Sequence, residues 1–114
     1  MAMNEEYAQT EPGRAEVDAL QGLTLLEFGA PWCGHCRAAQ PLLAQVLENR
    51  DLRHLKIEDG PGRPLGRSFR VKLWPTLILL RQGEELARLV RPTNAADIRQ
   101  AFDQVSGNKG ADMA

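Results

Sequence analysis

The chain has 114 residues, 43% of them hydrophobic and 25% charged, with a formal net charge of -1. That size and balance describe one globular domain and exclude a fibrous or wholly disordered class. So small a net charge sets up no long-range field to gather nucleic acid or anionic lipid, and neither is expected as a partner. The arginines at Arg63, Arg67 and Arg70 read as a solvated face.

Residues 1–11 are polar, with Tyr7 their one aromatic side chain, and predict a loose tail holding at most a short edge strand. The segment is acidic and has no apolar run, so no secretory or transit signal is expected and a cytoplasmic location is read from it. Pro12 stands at a plausible first turn, and Ala15, Val17, Ala19 and Leu20 predict a short helix that Gly22 ends. Residues 23–28, LTLLEF, are apolar on both faces apart from Thr24 and Glu27, which fits a central strand covered on either side. From Cys33 to Arg50, the positions of Ala39, Leu42, Leu43, Val46 and Leu47 follow the spacing of an amphipathic helix, with Pro41 inside it as a source of kinking.

Residues 52–57 read as a second strand. The Gly- and Pro-rich DGPGRPLG that follows is loop, leaving residues 65–71 as the only part there able to form helix. Residues 76–80 and 85–90 are antiparallel strands joined at Arg81-Gln82-Gly83-Glu84, where Gly83 supplies a positive φ. Asn94 caps a last helix with Asp97 three residues on, and Ile98, Ala101, Phe102 and Val105 form its buried stripe. Gly107 ends that helix and leaves residues 108–114 as a tail, so the domain spans residues 12–107. The longest apolar stretch, residues 73–80, is far shorter than a membrane span and contains a proline. The order of elements implies an α/β protein with a central mixed sheet and helices on both faces.

The only two cysteines lie in APWCGHCRAAQP, residues 30–41. A disulfide closing so small a loop constrains the unfolded chain little. Arg37 directly after Cys36 rules out attachment of a c-type haem. Zinc needs three or four ligands, and beyond two thiols the chain offers only His35, His54 and carboxylates, with His35 directed away from the thiols. Neither a metal nor a bound organic cofactor is therefore expected. A redox dithiol fits the local physics best. Cys33 falls at the N-terminal end of a helix, where unpaired N–H groups and the macrodipole favour an anion, and a protonated His35 adds positive charge beside it. Cys36 follows one turn later on the same side, within disulfide reach and directed inward. In this reading Cys33 meets water and attacks a substrate disulfide, and Cys36 breaks the resulting mixed disulfide. Two inert thiols on a binding module remain the alternative.

Phe28-Gly29-Ala30-Pro31-Trp32-Cys33-Gly34-His35-Cys36, then Pro41 in the helix, Trp74-Pro75-Thr76 opening an apolar strand and Gly83 in a hairpin, together resemble the thioredoxin superfamily across residues 20–106. The resemblance implies a thioredoxin fold and a thiol-disulfide oxidoreductase that serves protein disulfides and is recharged by a reductase or thiol donor. A monomer is expected. It also implies a cis peptide bond at Pro75, packed against the sulfurs, a Trp74 backbone free to pair with an extended substrate, and apolar contact from Trp32 and Trp74 around the disulfide. Glu27 matches the family's buried carboxylate, a general base for Cys36; between two apolar faces its charged form is costly, so it can take and return a proton. Lys56 matches the lysine that accompanies that carboxylate.

Three departures stand out: Gly29 where thioredoxins usually carry tryptophan, Gly34-His35 where they carry Gly-Pro, and Arg91 where they carry glycine. Arg91 puts bulk and charge into the substrate groove and joins Trp32, Gly34, His35, Trp74 and Pro75 as a substrate contact. The Cys-Gly-His-Cys sequence resembles that of protein disulfide isomerases, whose potential lies near about -180 mV against about -270 mV for thioredoxin. An intermediate potential and a reductant's role are expected, with an exported oxidase or isomerase and a non-catalytic, chaperone-like module as the alternatives.

Overall fold

A computed structural model describes the chain from residue 3 to residue 113, with side chains through Val105. In chain order its elements are α1 (Arg14–Asp18), β1 (Leu23–Gly29), α2 (Gly34–Leu47), β2 (Arg53–Glu58), α3 (Pro64–Ser68), β3 (Thr76–Arg81), β4 (Glu84–Val90) and α4 (Ala95–Met113). The four strands form one sheet in the order β2-β1-β3-β4, with β1 parallel to β2 and antiparallel to β3, and β4 antiparallel to β3. This is the mixed α/β architecture read from the sequence.

β1 is flanked on both edges and covered on both faces, which is why every residue from Thr24 to Gly29 is buried. Successive side chains of a strand alternate between faces. Leu25 packs with Leu43, Val46 and Leu47 of α2 and Ile98, Phe102 and Val105 of α4, whereas Leu26 and Phe28 pack with Val17 of α1, Leu65 of α3 and Phe69. Glu27 and Gly29 therefore face the same side as Leu25, toward α2. That alternation sets a carboxylate and a bare backbone position beneath the helix that carries the cysteines.

Several local expectations need correction. α1 starts at Arg14, with Gly13 as its N-cap and the Gly13 N–H bonded to Glu16 Oε1 at 3.0 Å, and it ends before Gly22, which turns the chain into β1 with φ 75°. The hairpin between β3 and β4 uses two positive-φ residues, Gln82 (φ 49°) and Gly83 (φ 85°), because a two-residue turn whose twist matches its strands needs both. Asn94 caps α4 as read, its Oδ1 accepting from the Asp97 N–H at 2.8 Å, but the helix runs through Gly107 to Met113. A glycine inside a helix costs about 1 kcal/mol relative to alanine without forbidding helical dihedrals, so Gly107 weakens α4 and does not end it. α2 contains Pro41, as expected from the sequence.

Residues 4–8 of the N-terminal segment lie against β2: the Asn4 N–H donates to His54 Nδ1 at 2.8 Å, and the Ala8 N–H donates to the Lys56 carbonyl at 2.8 Å. β2 is an edge strand whose outer N–H and C=O groups need partners, and this segment supplies one of them through the Ala8 N–H. Among the described residues no helix is long and apolar enough to cross a membrane.

Candidate active site

Cys33 closes the turn between β1 and α2. It is the N-cap of α2, with extended dihedrals (φ -81°, ψ 119°), and its Sγ accepts the Cys36 N–H at 3.2 Å. The sulfur thus occupies the place a serine hydroxyl or aspartate oxygen takes at an ordinary helix start, where orphan N–H groups stabilise negative charge. This geometry also buries it more than the sequence reading allowed. Cys33 is 7% exposed and Cys36 1%, because a sulfur that caps its own helix folds back over the first turn and packs against Ala30 and Trp74. The two cysteines differ in accessibility by degree. The open rim belongs to Trp32, 69% exposed, and to Gly34 and His35, both exposed.

Burial pushes the Cys36 thiol up to about 12, aided by its hydrogen bond with Cys33 and by repulsion from Cys33 and Glu27, and opposed by a backbone bond at Ala30. At neutral pH Cys36 therefore holds its proton and needs a base.

Glu27 lies beneath α2 with no exposed surface. Its Oε2 accepts from Gln40 Nε2 at 2.8 Å, and its Oε1 lies 2.9 Å from His54 Nε2. Because the Asn4 N–H donates to His54 Nδ1, the ring hydrogen sits on Nε2 and is donated to Glu27. Lys56, directly across the ladder from Glu27, does not touch the carboxylate. Its Nζ donates to Gln40 Oε1 at 2.9 Å, so the amide stands between ammonium and carboxylate. β1 is paired on both edges, so Glu27 has no open strand edge through which to reach water.

On the opposite lip, the Trp74-Pro75 peptide bond is cis and Pro75 is buried. The Trp32 and Trp74 rings meet edge to face, with centroids 5.4 Å apart, and Trp74 Nε1 donates to Asp59 Oδ2 at 2.8 Å. The expectation of a free Trp74 backbone is corrected by Arg91, whose Nε donates to the Trp74 carbonyl at 2.8 Å. Arg91 reaches it because its backbone takes φ 51°, a conformation suited to the glycine usual at this position, while its N–H bonds the Pro75 carbonyl at 2.9 Å.

The structure thus gathers Cys33, Cys36, Glu27, Trp32, Gly34, His35, Trp74, Pro75 and Arg91 around one end of β1, with Lys56 one bond removed through Gln40. Sequence reasoning missed Tyr7, Gln40, His54 and Asp59. Two of these carry a signal: Gln40 lies one turn beyond Cys36, and His54 lies two residues before Lys56, hence on the same face of β2. Nothing in the sequence joins Tyr7 or Asp59 to the site. Among the described residues no group of three or more His, Cys, Asp or Glu side chains is arranged to hold a metal ion.

The thioredoxin family model matches residues 7–104. Thioredoxin from Mycobacterium tuberculosis is 31% identical over 86 residues, covering 74% of this chain and 74% of its own length. Rice thioredoxin H2-1 is 33% identical over 69 residues, 60% of this chain, and the match spans half of that longer protein. The reduced form of thioredoxin 2 from Pseudomonas aeruginosa superposes with a TM-score of 0.83 at 55% identity, covering 93% of this chain and 99% of the other. A carboxylate-backed Cys-x-x-Cys pair at the head of α2, in a mixed sheet with that degree of likeness, places the chain in the thioredoxin family, as a thiol-disulfide oxidoreductase.

Proposed function

We propose that the protein is a reductant of protein disulfides, with Cys33 as nucleophile, Cys36 as resolving thiol and Glu27 as the base that takes the Cys36 proton. The observation that carries this reading is the Cys36 N–H donated to Cys33 Sγ at the start of α2, which places a hydrogen-bond donor on the Cys33 sulfur and not on that of Cys36. The Cys33 thiolate attacks one sulfur of a substrate disulfide, and the other substrate sulfur leaves with the bonding pair and is protonated. Cys36, giving its proton to Glu27, then attacks Cys33 and releases the second substrate sulfur, leaving Cys33 and Cys36 oxidised and the substrate reduced. Lys56, held through Gln40, fixes the amide that donates to Glu27 and so acts as a positioning residue.

Trp32, Gly34, His35, Trp74, Pro75 and Arg91 form the substrate surface. Trp32, Leu73 and Val90 are exposed large apolar side chains, and each is adjacent in sequence to a site residue. Such surface concentrated at the redox lip supports a monomer that binds clients there. A reductase or small thiol must return two electrons per cycle. A cytoplasmic setting fits a chain whose only cysteines are the redox pair, because a reducing compartment keeps them as thiols.

Insulin reduction in the presence of dithiothreitol tests the chemistry: the wild type accelerates turbidity, and Cys33→Ser does not. Equal rates would refute the assignment of Cys33. Equilibration with glutathione tests direction, since a potential above the glutathione poise would make the protein an oxidant or isomerase instead.

A further inference from the structure

The space above Gly29 is already filled from two sides. A Cβ there would stand 2.5 Å from Cys36 Sγ and 3.2 Å from the Tyr7 hydroxyl oxygen, so thiol and phenol flank a single point. Tyr7 is delivered by the segment that lies along β2. That segment is pinned on either side of Tyr7 by the Asn4 and Ala8 backbone bonds, and the Tyr7 ring centroid lies 4.8 Å from Lys56 Nζ. Tyr7, Cys36, Gln40 and Lys56 border a common cavity of about 360 Å³.

We propose that the Tyr7 hydroxyl is the hydrogen-bond donor that holds the Cys36 sulfur when it becomes a thiolate, in the place left open by the missing side chain at Gly29. This rests on the division of labour between the cysteines proposed above.

The need for such a donor follows from the surroundings of Cys36. Its thiolate must form where burial opposes charge, beside Glu27 of β1, which has taken the proton, and Cys33 at the head of α2, which is bonded to the substrate sulfur, so neither neighbour supplies a compensating positive charge. The Lys56 ammonium of β2 is engaged by Gln40 Oε1 and the Glu5 carbonyl, and Arg37 of α2 reaches back to the Pro31 carbonyl. Tyr7 is suited to the task because burial, together with the charges of Cys36, Glu27, Cys33 and Glu58, holds its phenol above the ordinary range. It therefore remains a donor throughout the working pH range, and a neutral O–H adds no competing charge. In the step it serves, the Cys36–Cys33 bond forms as the bond from Cys33 to the substrate sulfur breaks. The substrate sulfur departs with the electron pair and is protonated.

Loss of one hydrogen bond to a charged sulfur lowers the thiolate fraction roughly tenfold. The remaining thiolate is more nucleophilic, with a Brønsted slope of about 0.4–0.5, so the resolving step slows only about threefold. Tyr7→Phe keeps the ring over Lys56 and removes the hydroxyl. In single-turnover quenched flow with a peptide disulfide, attack by Cys33 should match wild type. Decay of the mixed disulfide should slow about threefold, and its pH profile should move up by about one unit. Incorporation of 3,5-difluorotyrosine at position 7, a stronger donor, should move the decay rate and profile the other way, and it tests the idea even where Tyr7→Phe folds poorly. Decay rates and profiles that superimpose on wild type in these variants would overturn the role of Tyr7 while leaving the cysteine assignment intact. Turnover of the same peptide by Cys33→Ser would instead overturn that assignment, and the proposal with it.

Discussion

Replacing Gly29 by alanine is a small change whose sign is set by one contact. In β1 the residue has no positive φ, so alanine fits the backbone and, by restricting the unfolded chain, stabilises by about 0.4–1 kcal/mol. Against this, the new methyl carbon would lie 2.5 Å from Cys36 Sγ and 3.2 Å from the Tyr7 oxygen. The sulfur must retreat by most of an ångström to reach ordinary contact. It is 1% exposed, sits on the first turn of α2 and is hydrogen-bonded to Cys33, so it has no flexible stem with which to do so. Overpacking of this kind costs about 1–3 kcal/mol, which exceeds the backbone gain and leaves a net loss of about 1–2 kcal/mol.

Urea unfolding under reducing conditions reads this as a lower midpoint with unchanged slope. The decisive comparison is made in Cys36→Ala, where the sulfur is gone and the nearest remaining atom of residue 36, its Cβ, is 3.5 Å away. There Gly29→Ala should be neutral or slightly stabilising, giving a coupling of at least about 1 kcal/mol in the double-mutant cycle. The same loss in both backgrounds would show that the sulfur is not what excludes a side chain at position 29, and the packing argument would fail.

Two further outcomes follow from the site. The folded protein holds the Cys36 proton up to about 12, whereas the unfolded chain releases it near 9.0, so between those values the native state binds the extra proton and stability falls as pH rises. The slope from this group is at most about 1.4 kcal/mol per pH unit. Cys36→Ser should flatten the fall above pH 9 in a series of urea titrations, and a curve parallel to wild type would refute the assignment. Arg91→Gly removes a non-glycine residue from φ 51°, relieving about 1 kcal/mol, and loses the exposed bond to the Trp74 carbonyl, worth a comparable amount. Its urea midpoint should therefore change little, while kcat/KM for peptide disulfides rises several-fold as the carbonyl becomes free; an unchanged kcat/KM would show that Arg91 does not compete with substrate.

The order of elements, the helix carrying the cysteines and the family were legible because each rests on local pattern. LTLLEF declares a strand covered on both faces, the apolar spacing after Cys36 declares a helix, and Cys-x-x-Cys at their junction declares the chemistry. Gly107 misled because glycine lowers helix propensity wherever it stands, and only neighbouring structure decides whether the chain stops.

What the sequence alone determined is thus the Cys-x-x-Cys pair and the strand and helix whose junction it occupies, since both depend on contacts a few residues apart. Tertiary structure decided how those residues are tuned. His54 and Gln40 share Glu27 between them, Lys56 acts through an amide, Tyr7 fills the room over Gly29, and Arg91 occupies the Trp74 carbonyl. Each of these joins atoms at least 13 residues apart in the chain. Their geometry is fixed by strand register and by the packing of α2 on the sheet, and no short stretch of sequence encodes either one.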